Sequence, residues 1–312
     1  MAKVKTFKTI FPAVSVPMND DYSINEPEFR AYLRWIKSFY GKGIEGLVCN
    51  GHTGEITGLT RAERKRVVEI CSEECGDVMT IISGVNCENT AESIAMAKEA
   101  KEAGADGILL MPPHMWLRFG MNPNAPFEYV KDVAEGADID IIIHLYPATS
   151  KAFYPVETLI KMCKEIDHVK CIKMGTRVTS IYEHDVRLLR QECPDISLIT
   201  CHDETLCVSW FPGMDGALIG FAGCVPELIC PAWDVFKNPD KQTLKEAQDG
   251  SNRIYHISQA IYGGGQPSGE AHARLKEALK QRGIFTSALM RKPVLPLDQE
   301  EKDWVALGLE RS

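Results

Sequence analysis

A lysine in an apolar segment is the residue of this chain best suited to covalent chemistry. Lys173 lies near the end of the run Val169–Met174, in which strand alternation places Cys171 and Lys173 on the same face. If that face is buried, desolvation disfavours the ammonium form and lowers the pKa of the amine. A neutral amine can attack a carbonyl carbon and form a Schiff base. A lysine in a salt bridge, or one that reaches to the surface, fits the sequence equally well.

A glycine-containing turn supplies a second chemical feature. Gly51, His52, Thr53 and Gly54 follow the apolar segment 44–49. The two glycines allow the backbone to turn tightly and to approach a ligand. The hydroxyl of Thr53 and free backbone N–H groups are suitable donors for a carboxylate. An ordinary loop without a ligand is the alternative, since glycine-rich turns are common.

Two candidates for proton transfer lie at the end of the apolar segment 139–145. His144 and Tyr146 flank Leu145, so both side chains point the same way if the strand continues. Either residue can move a proton beside Lys173 when the two strands are neighbours. The alternatives are a hydrogen-bonded buried histidine and a tyrosine that serves packing.

Metal chemistry receives little support from the sequence. Cys201–Glu204 places one histidine and two carboxylates at consecutive positions, which cannot all converge on one ion, and a capping or hydrogen-bonding role is expected instead. The eleven cysteines include no CxxC pair, so reduced and buried thiols are expected. We therefore predict no metal site.

The alternation of two segment types indicates how these residues are positioned. Continuously apolar segments alternate with amphipathic ones, which is typical of strands buried on both faces of a parallel sheet. Eight such units predict a (β/α)8 TIM barrel, whose catalytic residues lie at the carboxyl ends of the strands. We predict a barrel over residues 1–235 and a C-terminal helical extension over residues 236–312. The expected strands are 10–16, 44–49, 78–83, 107–111, 139–145, 169–174, 196–201 and 216–219.

Local signals predict several boundaries between elements. Thr60 with Glu63 three residues later is the pattern of a helix capping box. The glycine run 263–265 predicts a turn between two helices. The proline-containing tail is expected to be irregular until Trp304.

Charge and hydropathy exclude several classes of partner. The formal net charge is -8 and the chain has no block of Lys and Arg, which argues against nucleic-acid binding. No stretch approaches the roughly 20 apolar residues of a membrane span, and the N-terminus does not resemble a signal peptide. A cytoplasmic protein is expected, and local donors must bind any anionic substrate.

Three segments together resemble the dihydrodipicolinate synthase / N-acetylneuraminate lyase family over essentially the whole chain. The turn Gly51–Glu55 is similar to the family's Gly-Thr-Thr-Gly-Glu pattern, Cys171–Thr176 to its Schiff-base strand, and Gly213–Gly220 to its eighth strand. The resemblance implies that Lys173 forms an imine with pyruvate or a similar 2-oxo acid, whose carboxylate lies at the turn. It also implies a cofactor-free homotetramer that acts on a 2-oxo acid and an aldehyde.

The chain departs from the family pattern near the lysine. His144 occupies the position of the family's relay tyrosine and Tyr146 lies two residues later, so either residue is a candidate for the proton relay. His52 and Met115 occupy the positions of a threonine and a second tyrosine in the synthase relay. Thr149 occupies the position of the arginine that binds the aldehyde substrate's carboxylate. These departures argue against dihydrodipicolinate synthase activity.

The segment His114–Arg118 resembles the hydratase-aldolase branch of the family, which acts on aryl-substituted unsaturated 2-oxo acids. That branch carries a similar Met-Trp pair, and a tryptophan at a barrel mouth is suited to stacking on an aromatic ring. Packing of this tryptophan against a neighbouring subunit is the alternative. The expected substrate-binding residues are Gly51, His52, Thr53, Gly54, Trp116, Gly175 and Leu218.

Three hypotheses of function follow from these observations. The first is a Schiff-base aldolase with Lys173 as nucleophile and Tyr146 or His144 as general acid and base. The second is a dehydratase that forms the same imine with a sugar-derived 2-oxo acid. The third is a non-catalytic 2-oxo-acid-binding homologue, which the histidine at the tyrosine position motivates.

Overall fold

Parallel strands form the centre of the molecule. A computed structural model describes residues 3–238, 243–263 and 268–312. The strands are β1 (Ile10–Pro12), β2 (Gly46–Cys49), β3 (Thr80–Val85), β4 (Gly107–Leu110), β5 (Asp140–His144), β6 (Val169–Met174), β7 (Ser197–Thr200) and β8 (Gly216–Ile219). They form one sheet in the order β1-β8-β7-β6-β5-β4-β3-β2. A parallel bridge between Ala13 and Val48 joins β1 to β2. The fold is therefore a (β/α)8 barrel, which confirms the predicted fold class.

Helices connect successive strands, and further helices follow β8. They are α1 (Glu26–Lys37), α2 (Arg61–Cys75), α3 (Thr90–Glu102), α4 (His114–Phe119), α5 (Ala125–Ala137), α6 (Val156–Glu165), α7 (Thr179–Glu192), α8 (Leu206–Trp210), α9 (Pro226–Lys237), α10 (Leu244–Tyr262), α11 (Gly269–Gln281) and α12 (Gln299–Glu310). None of the helices in the described ranges has the length and apolarity that crossing a membrane requires. The division of the chain near residue 235 stays a prediction.

Capping residues set the ends of two helices. Thr60 and Glu63 form the predicted capping box of α2. The prediction of an irregular tail until Trp304 is wrong, because α12 begins at Gln299. Asp298 and Glu301 form a second capping box there, with Glu301 N donating to Asp298 Oδ1 at 2.9 Å. Of the glycine run 263–265, Gly263 ends α10 with a φ of 62°, and residues 264 and 265 lie outside the described residues.

The first strand is shorter than its apolar pattern predicts. It ends at Pro12 rather than near Val16, because the backbone then changes partners. Ala13 N donates to Ile219 O of β8 at 3.0 Å, whereas Val14 N donates to Val48 O of β2 at 3.0 Å. This exchange closes the barrel between β1 and β2.

The interior of the barrel is packed with apolar side chains. These interior residues are Phe11, Ala13, Val48, Ile82, Leu109, Met111, Ile142, Cys171, Ile199 and Leu218. A larger apolar layer lies between the strands and the surrounding helices. Because Cys171 belongs to the interior cluster, Lys173, two residues later on β6, projects on the same side and above it. The fold thus places this lysine at the carboxyl end of the barrel.

Candidate active site

A cavity of about 360 Å³ opens at the carboxyl ends of the strands. Most of its walls come from the segments that follow β2, β4, β5, β6, β7 and β8, and α10 and α11 contribute further residues. The lining residues are Ala13, Gly51, His52, Thr53, Leu109, His114, Leu117, His144, Tyr146, Pro147, Lys173, Arg177, Cys201, Asp203, Leu218, Gly220, Tyr262 and His272. Candidates from three separate parts of the sequence therefore meet in one place, where a barrel enzyme carries its active site.

Lys173 is a half-buried amine without a partner. It pairs with His144 of β5 and Ile199 of β7 in the sheet, and its side chain lines the cavity. Among the described residues, its Nζ has neither a hydrogen-bond acceptor nor an ion-pair partner. Burial lowers the pKa of Lys173, and this effect outweighs the opposite effect of Cys201 and Asp203. The structure therefore does not support a salt-bridged lysine.

The turn that follows β2 presents its residues to the cavity. Gly54 N donates to Gly51 O at 3.1 Å, and Glu55 N donates to His52 O at 3.0 Å. A Cβ at Gly54 would lie 3.0 Å from Val14 O, so the turn leaves little room for a side chain there. Thr53 makes no hydrogen bond to other described residues, which leaves its hydroxyl and N–H available to a ligand.

His52, His144 and Tyr146 form a cluster beside the lysine. The Tyr146 hydroxyl lies 3.3 Å from His52 Nε2, and the Tyr146 ring packs edge-on against His144 with 5.0 Å between ring centroids. Burial and then Lys173 lower the pKa of His52 to about 3, and they also lower that of His144. Burial raises the pKa of Tyr146. At neutral pH the cluster thus holds two uncharged imidazoles and a protonated phenol.

The other predicted site residues have different surroundings. Leu218 lines the cavity. Gly175 lies outside the lining residues, and a Cβ there would come within 2.0 Å of Leu145 O, so this glycine permits the close approach of two backbones. Trp116 is 9% exposed and also lies outside the lining, with its ring 5.6 Å from that of Tyr129 and 6.2 Å from that of Tyr154. Its position gives no support to stacking on a substrate.

Several lining residues were not among the predicted site residues, and four of them have polar or titratable side chains that bear on the chemistry. Arg177 follows β6 and pairs with Glu204. Asp203 follows β7, and its Oδ1 accepts a hydrogen bond from Phe221 N at 2.8 Å. Burial raises the pKa of Asp203 to about 7. The other two are Tyr262 and His272.

Only part of this set carried a sequence signal. Asp203 belongs to the strand-end segment 201–204 that the sequence analysis considered, whereas Arg177, three residues beyond β6, was not considered. Tyr262 and His272 come from α10 and α11, whose approach to the cavity no local pattern indicates. The contacts of Asp203 are of the hydrogen-bonding kind expected for the segment 201–204. Within the described ranges, no group of three or more His, Cys, Asp or Glu is arranged to hold a metal ion.

The fold is that of the (β/α)8-barrel class, and the cavity lies where enzymes of this class carry their active sites. Within this class, the sequence model of the Dihydrodipicolinate synthetase family matches residues 6–311 of the chain. The chain therefore belongs to this family and is a lyase.

Individual relatives agree with this assignment. The chain is similar to a 4-hydroxy-tetrahydrodipicolinate synthase of Bartonella bacilliformis, with 25% identity over 307 residues and 98% of each chain covered. An uncharacterised DapA-like lyase of Pyrococcus horikoshii is 30% identical over 293 residues, which covers 94% of this chain and 95% of the relative.

Solved structures share the fold at lower identity. The prophage protein YagE of E. coli K12, determined in complex with pyruvate, has a TM-score of 0.87 at 20% identity, with 98% of this chain and 99% of that chain covered. A monomeric dihydrodipicolinate synthase variant has the same TM-score at 18% identity and covers 98% of this chain and 96% of its own.

Proposed function

We propose that the chain is a Schiff-base aldolase that makes or breaks a C–C bond next to a pyruvate-type 2-oxo acid. The observation that carries this proposal is the unpartnered Lys173 amine in a cavity with Thr53 and the Tyr146–His52 pair. An amine whose pKa is lowered by burial is a competent nucleophile toward a carbonyl. The structure determined with pyruvate belongs to a relative with the same fold, which supports the choice of ligand.

The reaction follows from the chemistry of an imine. Lys173 Nζ adds to C2 of the 2-oxo acid, and the carbonyl oxygen leaves as water after protonation. Loss of a proton from C3 gives an enamine, which adds to the aldehyde carbon while the aldehyde oxygen takes up a proton. Water then hydrolyses the new imine and frees Lys173. In the reverse direction the imine accepts the electron pair of the C–C bond that breaks.

Tyr146 is the proton shuttle that the geometry favours. A phenol with a raised pKa carries a proton to donate, and His52, in the tautomer with a free Nε2, accepts from it at 3.3 Å. His144 has a lowered pKa, and its buried Nδ1 has no hydrogen-bond partner among the described residues. We assign His144 to the wall that orients Tyr146.

We further propose that the chain lacks dihydrodipicolinate synthase activity. Thr149 lies outside the cavity lining, and Arg177 is paired with Glu204 and so is partly neutralised for a second substrate carboxylate. An assay for formation of 4-hydroxy-tetrahydrodipicolinate is expected to show none. Turnover to that product would reject this part of the proposal.

Trapping with borohydride tests the imine directly. Incubation with pyruvate and sodium borohydride is expected to add one reduced pyruvate to Lys173, located by peptide mass spectrometry. Lys173→Ala is the control and is expected to gain no mass. Equal incorporation in both proteins would exclude the assignment. Trapping without turnover over a broad panel of aldehydes would favour a non-catalytic binding homologue.

A dehydratase of a sugar-derived 2-oxo acid is the second candidate. The pKa of Asp203, about 7, favours it, because a carboxyl group in this range can donate and accept protons at neutral pH. Aldol cleavage releases an aldehyde and pyruvate, whereas dehydration releases neither. Product analysis by NMR after turnover therefore separates the two reactions.

A further inference from the structure

The turn that presents Thr53 to the cavity is held from outside by the C-terminal segment. Glu55 ends this turn, and its Oε1 accepts a hydrogen bond from Lys276 Nζ of α11. Its Oε2 accepts from Arg291 N at 2.9 Å. Lys276 is 1% exposed and Glu55 is 7% exposed, so this ion pair lies in the protein interior. Two residues 221 positions apart in sequence therefore meet directly behind the turn.

Further contacts fix the segment that carries Arg291. Lys276 Nζ also donates to Leu289 O at 2.8 Å. The guanidinium of Arg291 pairs with Glu63, the residue that completes the capping box of α2, and donates to Gly58 O at 2.8 Å. The C-terminal segment therefore contacts both the turn and the helix that follows it.

The backbone of the turn requires such support. Asn50 and Glu55, the residues on either side of Gly51–Gly54, have φ values of 52° and 56°. Residues other than glycine rarely adopt this left-handed conformation and keep it only when their surroundings hold them there. Asn50 is held by donating Nδ2 hydrogen bonds to Arg64 O at 2.9 Å and Ser83 Oγ at 3.1 Å. Glu55 is held by Lys276 and Arg291.

We propose that Glu55 and Lys276 are positioning residues for the substrate carboxylate. The pair keeps Thr53 and His52 in place at the cavity. Lys276 also neutralises Glu55, whose negative charge would otherwise lie behind an anion-binding turn. Affinity for the 2-oxo acid therefore depends on Lys276, a residue of α11 that does not itself line the cavity. This inference rests on the proposed function, since it assumes that the 2-oxo acid binds at this turn.

The test measures the pyruvate concentration that half-saturates borohydride trapping at Lys173 in the full-length chain. Lys276→Met leaves Glu55 unpaired and is expected to raise this concentration about tenfold or more, because both geometry and repulsion act against the carboxylate. Trapping at saturating pyruvate is expected to stay complete, and kcat is expected to change far less than KM. The double variant Glu55→Gln, Lys276→Met removes the charge and is expected to recover part of the affinity. If Lys276→Met does not fold, this double variant still allows the measurement.

A second ion pair supplies the matched control. Arg190 and Asp215 form a partly buried pair beside the amino ends of β7 and β8, far from the turn. The double variant Arg190→Met, Asp215→Asn is expected to leave half-saturation within about twofold of wild type. An equal shift in both double variants, or none in either Lys276 variant, would overturn the inference. Absence of trapping in the wild-type protein would overturn the proposed function as well, and this outcome is distinct.

Discussion

Two lysines of this protein have pKa values that burial lowers, and their surroundings are opposite. Lys276 is 1% exposed and contacts the carboxylate of Glu55 and the carbonyl of Leu289. Lys173 faces a cavity and has no acceptor among the described residues. Burial lowers the pKa of both amines, but only Lys276 has a carboxylate in contact that counteracts this effect. A buried ammonium is kept where it is paired.

The difference explains why we propose Lys173, and not Lys276, as the nucleophile. Loss of water alone does not suffice, because a paired amine has its lone pair blocked by a proton and its donors occupied. Lys173 combines a lowered pKa with open space of about 360 Å³ in which a carbonyl compound fits. The missing partner is therefore more informative than the depth of burial.

The largest expected effect comes from replacing Lys173, the proposed nucleophile. Lys173→Met is expected to lower kcat/KM by about 10⁴-fold or more, because no other residue supplies the nucleophile. The free energy of unfolding is expected to change by no more than about 1 kcal/mol, since an unpaired amine is replaced by an apolar side chain. Steady-state kinetics and urea denaturation check the two parts. Substantial residual activity would mean that Lys173 is not the nucleophile.

The same substitution at the paired lysine is expected to lower stability in addition to weakening the binding of pyruvate. Lys276→Met leaves the Glu55 carboxylate buried without its cation, and the free energy of unfolding is expected to fall by about 3–5 kcal/mol. Urea denaturation measures the loss. The double variant Glu55→Gln, Lys276→Met is expected to be more stable than the single variant. If Lys173→Met and Lys276→Met changed activity and the free energy of unfolding by the same amounts, the proposed contrast between the two lysines would be wrong.

Histidines near the unpaired lysine extend the comparison to acid pH. Burial lowers the pKa of His202 and that of His52 to about 3, below the ordinary 6.5. The stability that these uncharged histidines contribute to the fold above pH 6.5 is therefore lost as the pH falls toward 3. The reason is that the unfolded chain binds protons that the folded chain does not bind. Between pH 6.5 and 5 the expected loss of unfolding free energy is about 1.5 kcal/mol for a buried residue such as His202.

Urea denaturation at several pH values checks this acid sensitivity. His202→Asn removes one titrating group and is expected to reduce the loss of stability between pH 6.5 and 5, while His184→Asn, on the exposed face of α7, is the control. Asp203 has the opposite effect on stability. Because its pKa in the folded protein is raised to about 7, its contribution to the free energy of unfolding increases as the pH falls from 7 toward the ordinary value of 3.8. An unchanged pH dependence in His202→Asn would show that His202 titrates normally.

The smallest effect is expected at Trp116. Its ring packs against Tyr129 and Tyr154 outside the cavity lining, so Trp116→Phe is expected to change KM for aldehydes by less than about twofold and to cost about 1 kcal/mol of stability. Leu117→Ala, at a lining position, is expected to change KM more. A large KM effect of Trp116→Phe with aromatic aldehydes would restore the stacking hypothesis.

Local periodicity explains what the sequence predicted. The bounds of β6 and β8 follow directly from their apolar runs, and the alternation along β6 placed Lys173 on the interior face. The turn after β2 was recognised from its two glycines and its position behind a strand. These features depend on residues close in sequence, which is where pattern carries information.

Long-range packing explains what the sequence did not predict. The approach of His272 and Tyr262 to the cavity, and that of Lys276 to Glu55, depends on how α10 and α11 lie against the barrel. Trp116 occupies a strand-end segment as expected, but the turn of the short helix α4 directs it toward Tyr129. A single sequence does not encode these directions in any local spacing.

The packed interior cluster has a consequence for the order of binding that the proposed mechanism requires. Phe11, Ile142 and Cys171 fill the interior of the barrel beneath Lys173, so the cavity has a closed floor on that side. A molecule bonded to Lys173 therefore lies below anything that enters later through the mouth. On the proposed mechanism the 2-oxo acid is first in and last out during synthesis, and in the cleavage direction the aldehyde departs before pyruvate is released.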